Sequence, residues 1–307
     1  MLYGKIKNIN KKISKIILGN DVKKEYPNAI KLWDHFFNKG GNTFDNSMYY
    51  NEGKYEVFLG KWIKSRKIEK EIVIISKGGN NETKPNDISY LIKKTLDRLK
   101  LDVLDIFILH RDNENIPVGE FIDAFNEQIN LGLIKSFGAS NWKIERFEKS
   151  VLWSNKNNRI PFEILNNNLS LAKMIYPLWE GCITSNNEKY LSFLSNNNQC
   201  HFSWSSQARG FFIEDNFLKK IIRKKYNTNL KNCFYSKENL ERKIRAKKLS
   251  KKYYCSINDI ALAWVINQNF PSFAIVGSKN INQLNFSLKS INIKLSLEEI
   301  KWLNLSS

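Results

Sequence analysis

Cysteine is scarce in this chain. Four thiols, Cys182, Cys200, Cys233 and Cys255, are spread over 307 residues, and no C-x-x-C occurs. None has a histidine at a metal-ligand spacing. A disulfide scaffold, a dithiol redox motif and a zinc site are therefore not expected, and four reduced thiols suit a cytoplasmic protein. Glycine is also sparse, at 14 residues. The first strand-like run is followed only by "ILGN" (17–20), so the G-x-G-x-x-G turn of a dinucleotide-binding crevice is missing. There is no G-x-x-x-x-G-K-[ST], H-E-x-x-H, G-x-S-x-G or EF-hand loop. No apolar run approaches the ~18 residues a membrane span needs, and the opening residues hold no signal-peptide apolar core. No membrane partner is expected. Acidic residues are the minority, 30 against 49 basic, for a net charge of +19. That excess invites a nucleic-acid partner. Yet Lys outnumbers Arg forty to nine and Asn is abundant, a composition that A/T-rich codons produce by themselves. The densest basic runs, "LKKIIRKKY" (218–226) and "ERKIRAKKLSKKYY" (241–254), interleave apolar residues at helical spacing. They read as solvated helix faces, and no nucleic-acid partner is expected.

What the chain does contain is a rhythm. Eight β-branched, mostly apolar runs recur: 15–19, 43–47, 71–77, 105–110, 134–140, 162–168, 200–206 and 273–278. Continuous apolar runs of this length fit parallel strands covered on both faces. Amphipathic patterns alternate with them. One is "NAIKLWDHFFNKG" (28–40), with Ile30, Trp33, Phe36 and Phe37 as its stripe and Gly40 as its stop. Another is "SYLIKKTLDRLK" (89–100), built on Leu91, Ile92, Leu96 and Leu99. Ser256 with Asp259, and Ser296 with Glu299, read as capping boxes. No Pro/Gly/Ser-rich linker divides residues 1–307. Eight strands alternating with helices predict one α/β domain, a (β/α)8 or TIM barrel. A doubly wound open sheet is the competing architecture, and the missing glycine fingerprint speaks against it.

A barrel places its active site at the C-terminal ends of its strands. Asp45 closes the second run, with Tyr50 just beyond; Lys77 closes the third; His110 closes the fourth. Each alone has an ordinary reading: a polar strand end, a surface lysine, a loop imidazole. Together they make chemical sense. A phenol near its reference pKa of about 10 is a poor acid at neutrality. An ammonium beside it favours the phenolate, and a carboxylate holds that ammonium. His110 would fix the substrate oxygen. Such a group suits protonation of a carbonyl oxygen while hydride reaches its carbon. Tyr49 competes with Tyr50 for the acid role. His35 and His201 read as structural.

On these residues the chain resembles the aldo-keto reductases over nearly its whole length. "NTFDNSMYYNEGKYEVFLGKWIK" (42–64) is similar to that family's second-strand signature. "IVIISKGG" (72–79) carries its lysine at Lys77, and "LIKKTLDRLKLDVLDIFILHRD" (91–112) ends on its histidine at His110. "LGLIKSFGASNW" (131–142) resembles the fifth-strand motif. The resemblance implies an NADPH-dependent reduction of an aldehyde or ketone, with a small carbonyl compound as partner and NADH a less suitable cofactor. It places the nicotinamide carboxamide at Ser140, Asn141 and Asn166. In "FSWSSQARGFF" (202–212), Trp204 matches the stacking aromatic, and Ser205, Gln207 and Arg209 match pyrophosphate contacts. In "IVGSKNINQL" (275–284), Gly277, Ser278, Lys279 and Gln283 match the adenosine-side segment, where a cation at Lys279 favours a 2′-phosphate. Four positions depart from the pattern: Asn51 replaces Gly, Asn166 replaces Gln, Leu169 replaces Tyr and Ser287 replaces Asn. The alternative function is a non-catalytic NADP(H)-binding barrel serving as a regulatory or scaffold subunit; the intact quartet argues against it. Substrate choice is expected from the loops at 111–117, 142–160, 171–187 and 207–235, while Trp142, Trp179, Phe211 and Phe212 read equally as pocket walls or as core or lid packing.

Overall fold

Residues 1–20, 25–213 and 232–306 are described in the computed structural model of this chain. Eight parallel strands close into a barrel: β3 (Ile16–Gly19), β4 (Thr43–Asp45), β5 (Val73–Gly78), β6 (Leu104–Leu109), β7 (Ile134–Ser140), β8 (Ile164–Asn166), β9 (Cys200–Ser203) and β10 (Ser272–Val276). Pairing of β10 with both β3 and β9 completes the ring. Each expected strand is present; those expected at 43–47, 162–168, 200–206 and 273–278 end sooner, and the one at 134–140 keeps its full length. An antiparallel hairpin, β1 (Tyr3–Ile6) with β2 (Ile9–Ser14), precedes the barrel.

The strands are apolar throughout because both faces are covered, and side-chain alternation sorts them into two cores. Odd-numbered Ile17, Val73, Ile75, Phe273 and Ile275 and even-numbered Ile106, Ile108, Ile164 and Phe202 fill the interior. Ile6, Ile9 and Ile13 of the hairpin join that interior cluster, so the hairpin is the plug of the barrel's N-terminal end. Lys11 fastens it, with its ammonium 3.1 Å from Asp105 and bonded to the carbonyls of Glu69 and Ile72. The alternate residues, among them Leu18, Phe44, Ile74, Phe107, Leu109, Phe137, Leu165 and Val276, face outward into a second cluster with the helices.

Those helices are α1 (Tyr26–Asn38), α2 (Lys54–Arg66), α3 (Asp87–Leu99), α4 (Val118–Asn130), α5 (Ile144–Lys156), α6 (Glu188–Asn196), α7 (Lys237–Lys252), α8 (Ile257–Ile266), α9 (Ile281–Lys289) and α10 (Leu297–Leu303). In α1 the fully buried stripe is Ala29, Leu32, Trp33 and Phe36; Ile30 and Phe37 are only half-buried. In α3, Leu91, Ile92, Leu96 and Leu99 are buried as the periodicity requires. Both capping boxes form, at the starts of α8 and α10.

Two expectations change, and one open choice is decided. The stretch 142–160 is not chiefly a loop, since α5 occupies its centre with Ile144 and Phe147 packed into the outer core. Trp142 and Phe212 are fully buried and Phe211 nearly so, each packed in the outer core rather than along a pocket. The basic run 241–254 does lie on an amphipathic helix, α7, but Arg242 is buried, bonding Asn239 and the Asn304 carbonyl. The run 218–226, and much of the expected loop 207–235, lie outside the described residues.

Candidate active site

Alternation carries polar side chains to the mouth of the barrel. Val73, Ile75 and Lys77 share one face of β5, and Ile106, Ile108 and His110 share one face of β6 and its end. Asp45 lies opposite Ile75 in the β4–β5 register. The interior is thus apolar below and charged at the C-terminal rim.

Lys77 and Asp45 form a buried ion pair, each side chain 4% exposed. The same ammonium sits 5.3 Å from the centroid of the Tyr50 ring. His110 meets Tyr50 edge-on at 6.3 Å between ring centroids. The structure therefore brings Asp45, Tyr50, Lys77 and His110 together. Tyr49 differs. Its ring is 49% exposed and lies 5.8 Å from His110, and its hydroxyl accepts from the Gly79 N–H at 3.2 Å. Burial, reinforced by the charges of Lys77 and Arg111, holds the His110 pKa well below the usual imidazole value, so the ring is neutral.

The segment carrying Tyr50 is strained. Asn51 and Glu52 have φ of 48° and 56°, and Gly53 follows at 84°. Three successive left-handed residues turn the chain sharply out of the Tyr50 position and into α2. Arg98 from α3 clamps this turn, donating to the carbonyls of Met48 and Glu52 and to Glu56. Glu56 is buried and also accepts from Ser76 and Thr95; burial pushes its pKa up despite these partners. Neither Arg98 nor Glu56 stood out in the sequence, because their roles depend on contacts between α2, α3 and β5.

The second group of candidates lines the opposite part of the mouth. Ser140 ends β7 and donates to the Asn166 carbonyl at 2.8 Å; Asn141 donates to Ser140 at 3.0 Å and accepts from the Ile183 N–H. Asn166 ends β8 and donates to the Phe202 carbonyl at 2.7 Å. Trp204, just past β9, packs on the interior cluster, and its Nε1 is buried without a partner. The Trp179 ring stacks on it, 5.4 Å between centroids and 25° between planes, and Arg209 lies 5.2 Å over Trp179. Of the four aromatics considered as pocket walls, Trp179 alone is substantially exposed, at 45%.

The third group joins two distant segments. Ser206, beside Ser205, bonds the Ile275 carbonyl, and Gln207 bonds Ser287 at 3.1 Å. The 204–210 turn, strained at Ser205, Ala208 and Arg209, thereby rests on β10 and α9. Gly277 and Lys279 are exposed after β10, and Ser278 is buried. Gln283 accepts from the Lys279 N–H at 2.8 Å, and Asn280 caps α9. His35 bonds Asn285, and His201 lies buried against Ser203, both remote from the quartet. Among the described residues, no cluster of His, Cys, Asp or Glu is placed to hold a metal, and no helix is long and apolar enough to cross a membrane.

A closed parallel barrel with a polar rim of this kind defines a strand-end active-site enzyme class. The model of the Aldo/keto reductase family matches residues 17–304, and the chain belongs to that family of oxidoreductases. Curated relatives include "Probable aryl-alcohol dehydrogenase AAD4" of Saccharomyces cerevisiae, 22% identical over 90% of this chain and 86% of that protein. Another protein named as an aryl-alcohol dehydrogenase, from Schizosaccharomyces pombe, is 24% identical over 98% and 94%. Among solved structures, the thermostable aldo-keto reductase Tm1743 with the inhibitor epalrestat superposes at a TM-score of 0.76, with 22% identity and 99% of both chains covered. An aldo-keto reductase from Klebsiella pneumoniae in complex with NADPH reaches 0.72 at 17% identity, covering 96% and 91%.

Proposed function

We propose that this protein reduces an aldehyde or ketone to an alcohol with NADPH, using Tyr50 as the proton donor. The observation that carries the reading is the buried Asp45–Lys77 pair with its ammonium against the Tyr50 ring.

The residues present fit the cofactor. Asn141 keeps one amide N–H beyond its bond to Ser140, and Asn166 uses only its N–H side on Phe202. The two amides together offer a donor and an acceptor, the complement of a carboxamide. Trp204 already takes a flat ring against its own. The N-terminus of α9, with Ser278 and Lys279 before it, suits a phosphate, because unpaired N–H groups and the helix dipole favour an anion there. Lys279 supports NADPH over NADH. When bound, the nicotinamide supplies the hydride to the carbonyl carbon.

The chain's own side chains do the rest. Tyr50 transfers its phenolic proton to the carbonyl oxygen, the O–H bond of the alcohol forming as that of the phenol breaks. The phenolate left behind lies beside Lys77, whose charge Asp45 keeps in place. Water at the mouth returns the proton to Tyr50. Neutral His110 flanks the same oxygen. Trp179 offers an exposed apolar wall, and the names of the two yeast relatives make aryl aldehydes the first substrates to try.

Reduction of an aromatic aldehyde, followed by loss of NADPH absorbance, tests this. In Tyr50→Phe we expect turnover to fall at least ~100-fold, the usual scale of a lost general acid, with NADPH affinity unchanged. Full activity in that variant would remove the reading.

A further inference from the structure

We infer that Arg98 is a positioning residue whose guanidinium fork holds the Tyr50 turn so that the phenol stays against the Lys77 ammonium. The inference rests on the function proposed above. Asn51 and Glu52, just past Tyr50, carry positive φ, and non-glycine residues keep such angles only where their surroundings over-determine them. One guanidinium supplies much of that constraint. Its Nη1 donates to the Met48 carbonyl at 3.2 Å and to Glu56 at 3.1 Å, and its Nη2 donates to the Glu52 carbonyl at 3.3 Å. Met48 lies two residues before Tyr50 and Glu52 two residues after, so the fork grips the backbone on both sides of the phenol. Gly53 leaves room for it, since a Cβ there would overlap the guanidinium.

The same contacts reach the strand that carries the ammonium. The Met48 N–H donates to the Lys77 carbonyl at 3.0 Å. Glu56 accepts from Ser76, the residue before Lys77, at 2.6 Å. Arg98 therefore ties the turn to β5 by two short routes, one through Met48 and one through Glu56. What these routes fix is the 5.3 Å between Lys77 Nζ and the centroid of the Tyr50 ring. The other groups facing this pair are His110, edge-on to the ring, and Asp45, paired with Lys77.

Arg98 thus acts through backbone carbonyls and Glu56 rather than on the reacting atoms. Lysine is no substitute, because an ammonium is one point on a shorter stem and does not fill both ends of a planar fork. Positioning and charge are thereby separable. Arg98→Lys keeps the charge and loses the span, whereas Arg98→Ala loses both.

The test follows the ionisation of Tyr50 by carbon NMR of the full-length protein labelled with 13C at tyrosine Cζ. Twelve tyrosines contribute, and Tyr50→Phe assigns the one of interest. A phenol beside an ammonium ionises at lower pH than a free one. In the wild type Tyr50 should ionise before the exposed tyrosines. In both Arg98→Lys and Arg98→Ala its midpoint should move up, toward about pH 10, while the other tyrosines keep their titrations and report an intact fold. In parallel, kcat/KM for aldehyde reduction should fall about 10- to 100-fold in both variants, with the KM for NADPH unchanged. The loss of activity at high pH, where the donor has no proton left, should shift upward with the NMR midpoint. A merely structural role would lower activity equally at every pH and leave that limb in place. A wild-type Tyr50 that ionises with the exposed tyrosines, or one whose midpoint neither variant moves, overturns the inference. So does a shift in Arg98→Ala with none in Arg98→Lys, which would assign the effect to charge. A protein with the expected titrations and no turnover of any carbonyl compound would overturn the proposed function and leave the positioning role standing.

Discussion

Single residues here carry unequal burdens, and His201, outside the quartet, shows it. His201 is buried with its pKa pushed down to about 3 by desolvation alone. Its native form is neutral, whereas the unfolded chain takes up a proton near pH 6.5. The unfolded state therefore binds more protons as pH falls, and stability that is full above pH 6.5 declines below it. Between pH 7 and pH 5 this one site should cost about 2 kcal/mol. Urea unfolding of the wild type and of His201→Phe at both pH values will check it, and the variant should lose that part of the slope. His110 works in the same direction, because burial and two neighbouring cations also depress its pKa. At the turn after Tyr50, Asn51 sits at φ 48°, where Asn is tolerated and Gly is unstrained. Asn51→Gly should raise the urea midpoint slightly, and a fall would show that the Asn side chain has a role beyond its backbone angle.

Elements are held at fixed distances by small residues and by clamps. Gly60 lets α2 approach the end of α3 so closely that a Cβ there would run into the backbone of Leu99. Backbone cannot yield as a side-chain tip does, so Gly60→Ala should destabilise the protein by roughly 1–3 kcal/mol, the scale of overpacking. Thermal unfolding measures it, and an unchanged midpoint would show that the two helices slide apart freely. The same pair of helices supports Arg98 and Glu56, which hold the Tyr50 turn. The loss should therefore extend to activity.

For the molecule as a whole, the N-terminal hairpin closes one end of the barrel while the other end is reserved for polar chemistry. Ile13 is fully buried in the interior cluster, and Ile13→Ala should cost about 2–5 kcal/mol from lost burial and a cavity. Calorimetry should register a large drop in the unfolding temperature; a shift of a degree or less would mean the hairpin is not part of the cooperative core. The chain's pattern alone determined the barrel, because eight apolar runs covered on two faces and alternating with helices have few other ways to bury their surfaces. It also determined the candidate quartet at the strand ends, since a period of two makes Lys77 follow Ile75 and His110 follow Ile108 inward. The hairpin left no such trace, as "YGKIKNINKKIS" is short, lysine-rich and earns its burial only from the barrel beneath it. Tertiary structure likewise decided between neighbours of similar chemistry. Lys77 lies over Tyr50 and Tyr49 turns aside to Gly79, while Trp142 goes to the core and Trp179 to the rim. Local sequence carries periodicity, but which of two equal side chains meets a given charge depends on strands and helices that are distant along the chain.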